Sequence, residues 1–210
     1  MISLSEILHT IAQALMIPCL IILIILMAGA VWQIGDIVVE YIAERRKHKC
    51  NVPQLLRDVH AAGADGLAEL IENSGLLRRQ KKALLELAES RGLPKDTLTA
   101  LAERLLATEE ARNARTTSIT DMIAKLGPMF GLLGTLIPLG PGIVALGQGD
   151  TVTLSESMNV AFDTTIAGVI SAAVASVISH IRKRWYNDDM VSLETLMEAV
   201  LEEVTGDVEG

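Results

Sequence analysis

Two long runs of the chain contain no charged side chain, and this feature constrains the fold more than any other. The first run extends from Ala14 to Trp32 and has 19 residues without a charge, amide or hydroxyl. The second extends from Leu126 to Gly147 and has 22 residues, with Thr135 as its one hydroxyl. A helix of about 20 apolar residues crosses the hydrocarbon core of a bilayer. The sequence therefore predicts membrane-spanning helices in both runs.

A third stretch, from Val160 to Ile178, has the same length as the first run and is interrupted by Asp163, Thr164 and Thr165. We interpret it as a third span. The segments outside the spans place apolar residues at helical spacing, and no segment shows the alternation of a strand. The predicted fold class is an all-α integral membrane protein with three transmembrane helices and long cytoplasmic helical extensions.

The remaining composition excludes several classes of protein. The chain has only two cysteines and four scattered histidines, which predicts neither a disulfide framework nor a structural metal. Its net charge is −8, with 18 basic and 26 acidic residues, so nucleic acid is a poor partner. No Lys or Arg precedes Arg45, whereas a signal peptide begins with a positive segment, so we expect the first run to be a retained span.

The basic residues predict how the spans are oriented. Fifteen of them lie between Arg45 and Lys125, and the other three form the run from Arg182 to Arg184. Basic residues near span ends mark the cytoplasmic side. All three spans then agree on an outer amino terminus, a long cytoplasmic loop, a short outer turn and a cytoplasmic carboxyl terminus. We expect a multi-pass protein of the cell membrane, embedded in the lipid bilayer.

These patterns divide the chain into seven predicted segments. The first dozen residues predict either an amphipathic helix at the outer surface or simply an extended first span. The segments are an outer-surface helix at 1–13, the first transmembrane helix at 14–35, a cytoplasmic helical loop at 36–121, the second transmembrane helix at 122–147, an outer turn at 148–158, the third transmembrane helix at 159–180, and a cytoplasmic amphipathic helix with an acidic tail at 181–210.

Small residues recur along the second and third spans. In the second span Gly127, Gly131 and Gly134 lie on one face at three- and four-residue spacing, and the third span includes Gly168 and Ala172. Small residues at this spacing let helix backbones approach closely in lipid. Three spans in one chain offer few packing partners, so the sequence predicts a homo-oligomer.

Hydroxyl groups form a second pattern in the same two helices. Thr165, Gly168, Ala172, Ser176 and Ser179 share one stripe of the third span, and Thr135 lies near the middle of the second. Repeated around an axis, these helices would enclose a narrow and weakly polar lumen. The alternative is that each hydroxyl bonds to a carbonyl of its own helix four residues earlier. The sequence leaves both interpretations open.

Asp163 is the one charged residue inside the three apolar stretches at 14–32, 126–147 and 160–178. A carboxylate at the bilayer centre costs about 2.5–3.5 kcal/mol, so such residues are candidate functional sites. Asp163 lies near the outer end of its span and points away from the hydroxyl stripe, since residues two positions apart on a helix face different ways. It is a candidate for an interfacial anchor, an intersubunit contact or a proton site. Hydroxyls do not titrate near neutral pH, so a proton carrier is expected from another chain.

Two motifs carry a resemblance to a known family. The segment Gly131-Leu132-Leu133-Gly134-Thr135 resembles the GLLGT core of the second span in the MotA/TolQ/ExbB proton-channel family. The segment from Thr164 to Gly168 resembles the TT-x-x-G motif that opens that family's third span. The three-span layout resembles the ExbB-like and TolQ-like members in particular.

The resemblance implies a proton-channel subunit of a motor complex driven by the proton-motive force. It implies a pentamer around a central pore, which holds a single-span ExbD-like or TolR-like partner whose membrane Asp relays protons. Thr135 and Thr165 match the family's pore threonines, and no cofactor or enzyme activity is implied. The chain departs from the pattern at Val160, where ExbB-like members often have Glu and where Asp163 is a substitute one turn later. It also departs at Pro138 and Pro141.

Two other functions are alternatives to the channel. A non-conducting membrane scaffold would use the small-residue helices only to assemble an oligomer. An intramembrane aspartyl protease would use the string from Gly147 to Asp150, which reads G-x-G-D, but that chemistry needs two facing membrane aspartates. Asp150 lies in the polar outer turn, so a glycine-rich turn explains the string better.

Overall fold

The structure is a computed structural model that describes residues 4–45 and 51–206, and these residues are almost entirely helical. The basic residues Arg46, Lys47 and Lys49, which contributed to the predicted orientation, lie outside this part of the chain. No strand occurs within the described residues. The elements in chain order are α1 (Leu4–Ala14), α2 (Met16–Glu40), a π-helical turn (Tyr41–Arg45), α3 (Val52–Asn73), α4 (Arg78–Glu89), α5 (Lys95–Gly147) and α6 (Thr151–Gly206).

Three helical stretches are long and apolar enough to cross a membrane, which confirms the prediction of an all-α protein with three spans. They are Glu6–Ala43, Lys95–Gly147 and Thr151–Gly206. In the first, the amide of Leu15 donates to the carbonyl of Ile11 (3.1 Å) and the amide of Cys19 donates to that of Leu15 (3.0 Å). Hydrogen bonding thus continues across the boundary between α1 and α2.

The chain packs as two units, each with its own core. The membrane unit comprises Met1–Ile37 and Thr117–Ile181, and the loop unit comprises Val38–Thr116 and Arg182–Gly210. In the membrane unit, Leu26 and Ala30 of α2 pack with Ile123 of α5 and Ala175 of α6. Helix α5 continues through its prolines at 128, 138 and 141. Membrane helices tolerate proline because neighbouring groups satisfy the freed backbone carbonyls.

The loop unit has a core rich in leucine. Side chains from α3, α4, the start of α5 and the end of α6 meet in it. The most deeply buried are Val59, Leu67, Ile71, Leu84, Leu87, Leu98, Leu193, Leu196, Met197, Val200 and Val204. Helix α3 is kinked at Gly63, whose φ of 61° is accessible mainly to glycine. The amide of Leu77 donates to the side-chain oxygen of Gln80 at 3.2 Å, which caps the start of α4.

Candidate functional site

Helices α5 and α6 touch through their backbones in the membrane unit. A Cβ placed on Gly127 would lie 2.7 Å from the carbonyl oxygen of Gly168, and one placed on Gly134 would lie 2.5 Å from the Cβ of Thr164. Gly131 lies beside Gly168 in the same contact. The missing side chains are therefore what allow this approach. The contact lies within one chain, and the packing of Gly127, Gly131, Gly134, Gly168 and Ala172 between subunits stays a prediction.

The two candidate pore threonines are half-buried on these neighbouring helices. The Thr135 hydroxyl donates to the carbonyl of Leu132 at 2.7 Å. The Thr165 hydroxyl donates to the carbonyl of Ala161 at 3.0 Å. Both protons are thus used within the helix that carries them, as in the alternative considered above. The lone pairs of each oxygen remain able to accept a hydrogen bond.

The other members of the hydroxyl stripe differ in exposure. Gly168, Ala172 and Ser179 are buried inside the chain, Thr165 is half-buried, and Ser176 is exposed. In a single chain the stripe therefore borders the contact with α5 and does not form one open face. Assignment of Ser176 and Ser179 to a proton path stays a prediction.

Asp163 lies on the exposed surface of α6. Its neighbour Thr164 is buried, with its hydroxyl 2.9 Å from the carbonyl oxygen of Ala161. No hydrogen bond or ion pair joins Asp163 to the residues that the structure describes. Its carboxylate is thus available to lipid headgroups, water or another chain, and the three roles predicted for it stay open.

A second carboxylate, that of Asp121, was missed by the sequence reasoning. The Ser179 hydroxyl of α6 donates to Asp121 Oδ1 of α5 at 2.5 Å. The neighbouring Thr120 is fully buried, and its hydroxyl has no hydrogen-bond partner among the described residues. Asp121 directly precedes the predicted second span, and Ser179 lies one residue before the end of the predicted third span. Their pairing follows from the antiparallel arrangement of α5 and α6. Because both residues lie at the same end of this helix pair, their positions relative to the predicted spans were the signal that could have identified the pair.

A buried ion pair joins α2 to α6 in the loop unit. The side chain of Arg182 is 2% exposed, and its Nε donates to Glu40 Oε2 at 3.0 Å. The Tyr186 hydroxyl donates to the other oxygen of Glu40 at 2.9 Å. Burial, reinforced by this carboxylate, raises the pKa of Tyr186. Beside this group the rings of Tyr41 and Trp185 stack, with centroids 6.1 Å apart.

Asp150 caps the start of α6. Its carboxylate accepts hydrogen bonds from the amides of Val152 and Thr153, both at 3.1 Å, and from the Thr153 hydroxyl. The hydroxyl bond and the amide bonds lower the pKa of Asp150. Gly149, with a φ of 79°, makes the preceding turn. The G-x-G-D string thus forms a helix cap. Among the described residues, no group of three or more His, Cys, Asp or Glu side chains is placed to hold a metal.

Comparison with known proteins agrees with the two motifs. The sequence model of the MotA/TolQ/ExbB proton channel family matches residues 70–195, which is more than half of the 210-residue chain. The matched range contains α4, all of α5, most of α6, and both motifs. No individual curated protein matches the chain. The family is one of membrane channels, and the match confirms the resemblance read from the sequence. The chain therefore belongs to the MotA/TolQ/ExbB proton channel family.

Proposed function

We propose that this chain is the proton-channel subunit of a motor complex driven by the proton-motive force. In this proposal, copies of the chain form a pentamer in the cell membrane, with the amino terminus outside. The pore holds a single-span partner of the ExbD or TolR type, and proton flow is coupled to mechanical work or transport. The observation that carries the proposal is the family match, which includes both threonine motifs.

The placement of the threonines supports a pore at the α5–α6 pair. Thr135 and Thr165 belong to helices that touch through glycine, and neither is fully buried in the single chain. Each hydroxyl oxygen can still accept a hydrogen bond from water or from a protonated carboxyl group. Two such acceptors per subunit, repeated around an axis, would make a ring of weakly polar contacts.

The distribution of carboxylates supports a partner as the proton carrier. In the predicted third span Asp163 is exposed near the outer end, while Asp121, just before the predicted second span, accepts a hydrogen bond from Ser179. Between them α5 and α6 present hydroxyls that do not titrate near neutral pH. A carboxyl group from another chain would supply the missing titratable site.

Proton flux tests the proposal. The chain is reconstituted into liposomes with its partner, and acidification of the lumen is followed under a pH gradient. We expect Thr135→Val and Thr165→Val to lower the flux and the work that depends on it. Thr99→Val is the matched control, because the Thr99 hydroxyl also donates to a carbonyl of its own helix, that of Lys95 at 3.0 Å, but outside the spans. Unchanged flux in both pore variants would refute the assignment of the pore.

A non-conducting scaffold is the second candidate. It is favoured by the hydrogen bonds of Thr135 and Thr165 to their own helices, which leave no hydroxyl proton directed at a lumen. The two functions differ in one measurement. A scaffold forms the oligomer with its partner and shows no flux above that of empty liposomes.

A further inference from the structure

Two exposed faces of opposite charge lie on α5 and α6 in the loop unit. On α5, Arg104, Arg112 and Arg115 border a groove whose floor consists of Ala107, Thr108 and Ala111. On α6, Asp188, Glu194 and Glu198 are exposed on the side opposite the buried leucines. The groove floor has only small side chains, so another helix can approach α5 closely there.

Arg115 already interacts within the chain, but the other five charges of these faces are not used inside the subunit. In the part of the chain that the structure describes, neither Arg104 nor Arg112 has an ion-pair partner, and the same holds for Asp188, Glu194 and Glu198. Other charges of the loop unit do pair, as Arg91 with Asp65 at 2.8 Å shows. Both faces are therefore available to another molecule.

The two faces also lie at matching heights. Helices α5 and α6 run antiparallel, and Asn113 and Glu109 of α5 line the same small cavity as Tyr186 and Met190 of α6. Counting from this level, Arg112 lies opposite Asp188 within about one residue, a rise of about 1.5 Å.

The same count places Arg104 between Glu194 and Glu198. Both carboxylates then lie within about 5 Å of its height, measured along the helix. A cyclic oligomer keeps these heights, because rotation about an axis along the helices does not move a residue along it. The contact between neighbours is then heterologous and places different faces against each other.

We propose that the acidic face of α6 docks into the basic groove of α5 on a neighbouring copy of the chain. Asp188 pairs with the neighbour's Arg112, and Glu194 and Glu198 pair with its Arg104. This inference rests on the homo-oligomer of the proposed function and adds the contact that orders the subunits around the ring. Each copy has one acidic face and one basic groove. In a closed ring every acidic face is therefore paired with the basic groove of the next copy, and neither remains uncovered.

The size of the effect follows from the exposure of the pairs. An exposed ion pair changes an equilibrium constant by about 1.5-fold to fivefold. The contact recurs at every interface, so reversing the charges of one face gives repulsion at each of them. Screening at high salt weakens exposed ion pairs. Added salt should therefore reduce the difference in oligomer fraction between the variants and the unaltered chain.

Charge reversal in the full-length chain is the first experiment. One variant carries Arg104→Glu and Arg112→Glu, a second carries Asp188→Arg, Glu194→Arg and Glu198→Arg, and a third combines both sets. Oligomer size is measured by light scattering in detergent. We expect each single-face variant to raise the fraction of monomer several-fold, and the combined variant to restore the oligomer. Arg57→Glu with Lys82→Glu, two exposed residues elsewhere in the loop unit, is the matched control.

Two outcomes of the charge reversal overturn the inference. One is that neither single-face variant changes the oligomer. The other is that the combined variant fails to restore the oligomer, which would mean that the basic groove binds a different partner, such as an anionic lipid headgroup. If the unaltered chain is itself monomeric, the homo-oligomer of the proposed function fails as well, and the two failures are thereby distinguished.

Cross-linking gives a second readout that needs no charge reversal. Two differently tagged copies are coexpressed, one with Arg112→Cys and the other with Asp188→Cys, each with Cys19→Ala and Cys50→Ala. A short bis-maleimide reagent should join them into a product that carries both tags. Lys82→Cys in place of Arg112→Cys is the control and should not react with the second copy. If the oligomer forms but the reagent does not join the two tagged copies, the inference is overturned and the proposed function remains intact.

Discussion

Replacement of Gly168 by alanine tests the backbone contact between α5 and α6 most directly. The new Cβ would lie 2.5 Å from the carbonyl oxygen of Gly127 and 2.8 Å from the Cα of Gly131. Both are backbone atoms, which cannot rotate away as a side chain would. Carbon atoms in contact lie about 3.5–4.0 Å apart, so the helices must separate locally by about 1 Å. Overpacking of this kind costs about 1–3 kcal/mol, which lowers the Tm by about 2–12 °C.

Gly35→Ala is the matched control for this prediction. A Cβ on Gly35 meets nothing within 4 Å, and Gly35 also lies inside a long membrane helix. Both substitutions gain the same helix propensity, so their difference isolates the contact. Thermal unfolding in detergent, followed by tryptophan fluorescence, measures it. Equal Tm values for Gly168→Ala and Gly35→Ala would refute the reasoning, because the close approach would then have no energetic consequence.

Two further predictions concern charged groups. Arg182→Met leaves the carboxylate of Glu40 without its buried cation and should lower the free energy of unfolding by about 3–5 kcal/mol, whereas Arg184→Met at an exposed position should change it little. Asp150→Ala removes the cap of α6. The folded-state pKa of Asp150 is lowered, chiefly by the Thr153 hydroxyl. The stabilisation that the Asp150 carboxylate gives the fold is therefore present above the unfolded-state pKa and is lost as the pH falls through the folded-state pKa. The Tm of Asp150→Ala should therefore lie below that of the unaltered chain at neutral pH and approach it in acid, and a pH-independent difference would contradict this.

The spans and the family could be predicted from the sequence because each depends on local pattern. The length of an uncharged run sets whether a helix can cross a bilayer, whatever the run packs against. Thr135 and Thr165 lie in short motifs that need no tertiary information to be recognised. The continuation of α5 through Pro138 and Pro141 agrees with the same principle, because membrane helices accommodate proline.

The pairing of side chains between helices could not be predicted in this way. Arg182 was interpreted as one of the basic residues that orient the third span, but the structure buries it against Glu40. Asp121 was assigned to the loop, but it pairs with Ser179. Helical periodicity predicts which face of a helix is apolar, yet it does not determine which residues of two antiparallel helices lie at the same height. That register depends on the glycine contact between α5 and α6, which only the folded structure provides.

The hydrogen bonds of the two threonines bear on how a pore of this kind would treat a proton carrier. Thr135 and Thr165 donate to their own helices and can only accept from a group in the lumen. A protonated carboxyl group donates to such an oxygen, whereas a carboxylate only accepts. Solvating the carboxylate would require a threonine to rotate and give up a hydrogen bond worth about 0.5–1.5 kcal/mol. In the proposed channel, this part of the pore thus favours the neutral carrier. Release of the proton then belongs at an end of the spans, where water and side chains such as Asp121 are within reach.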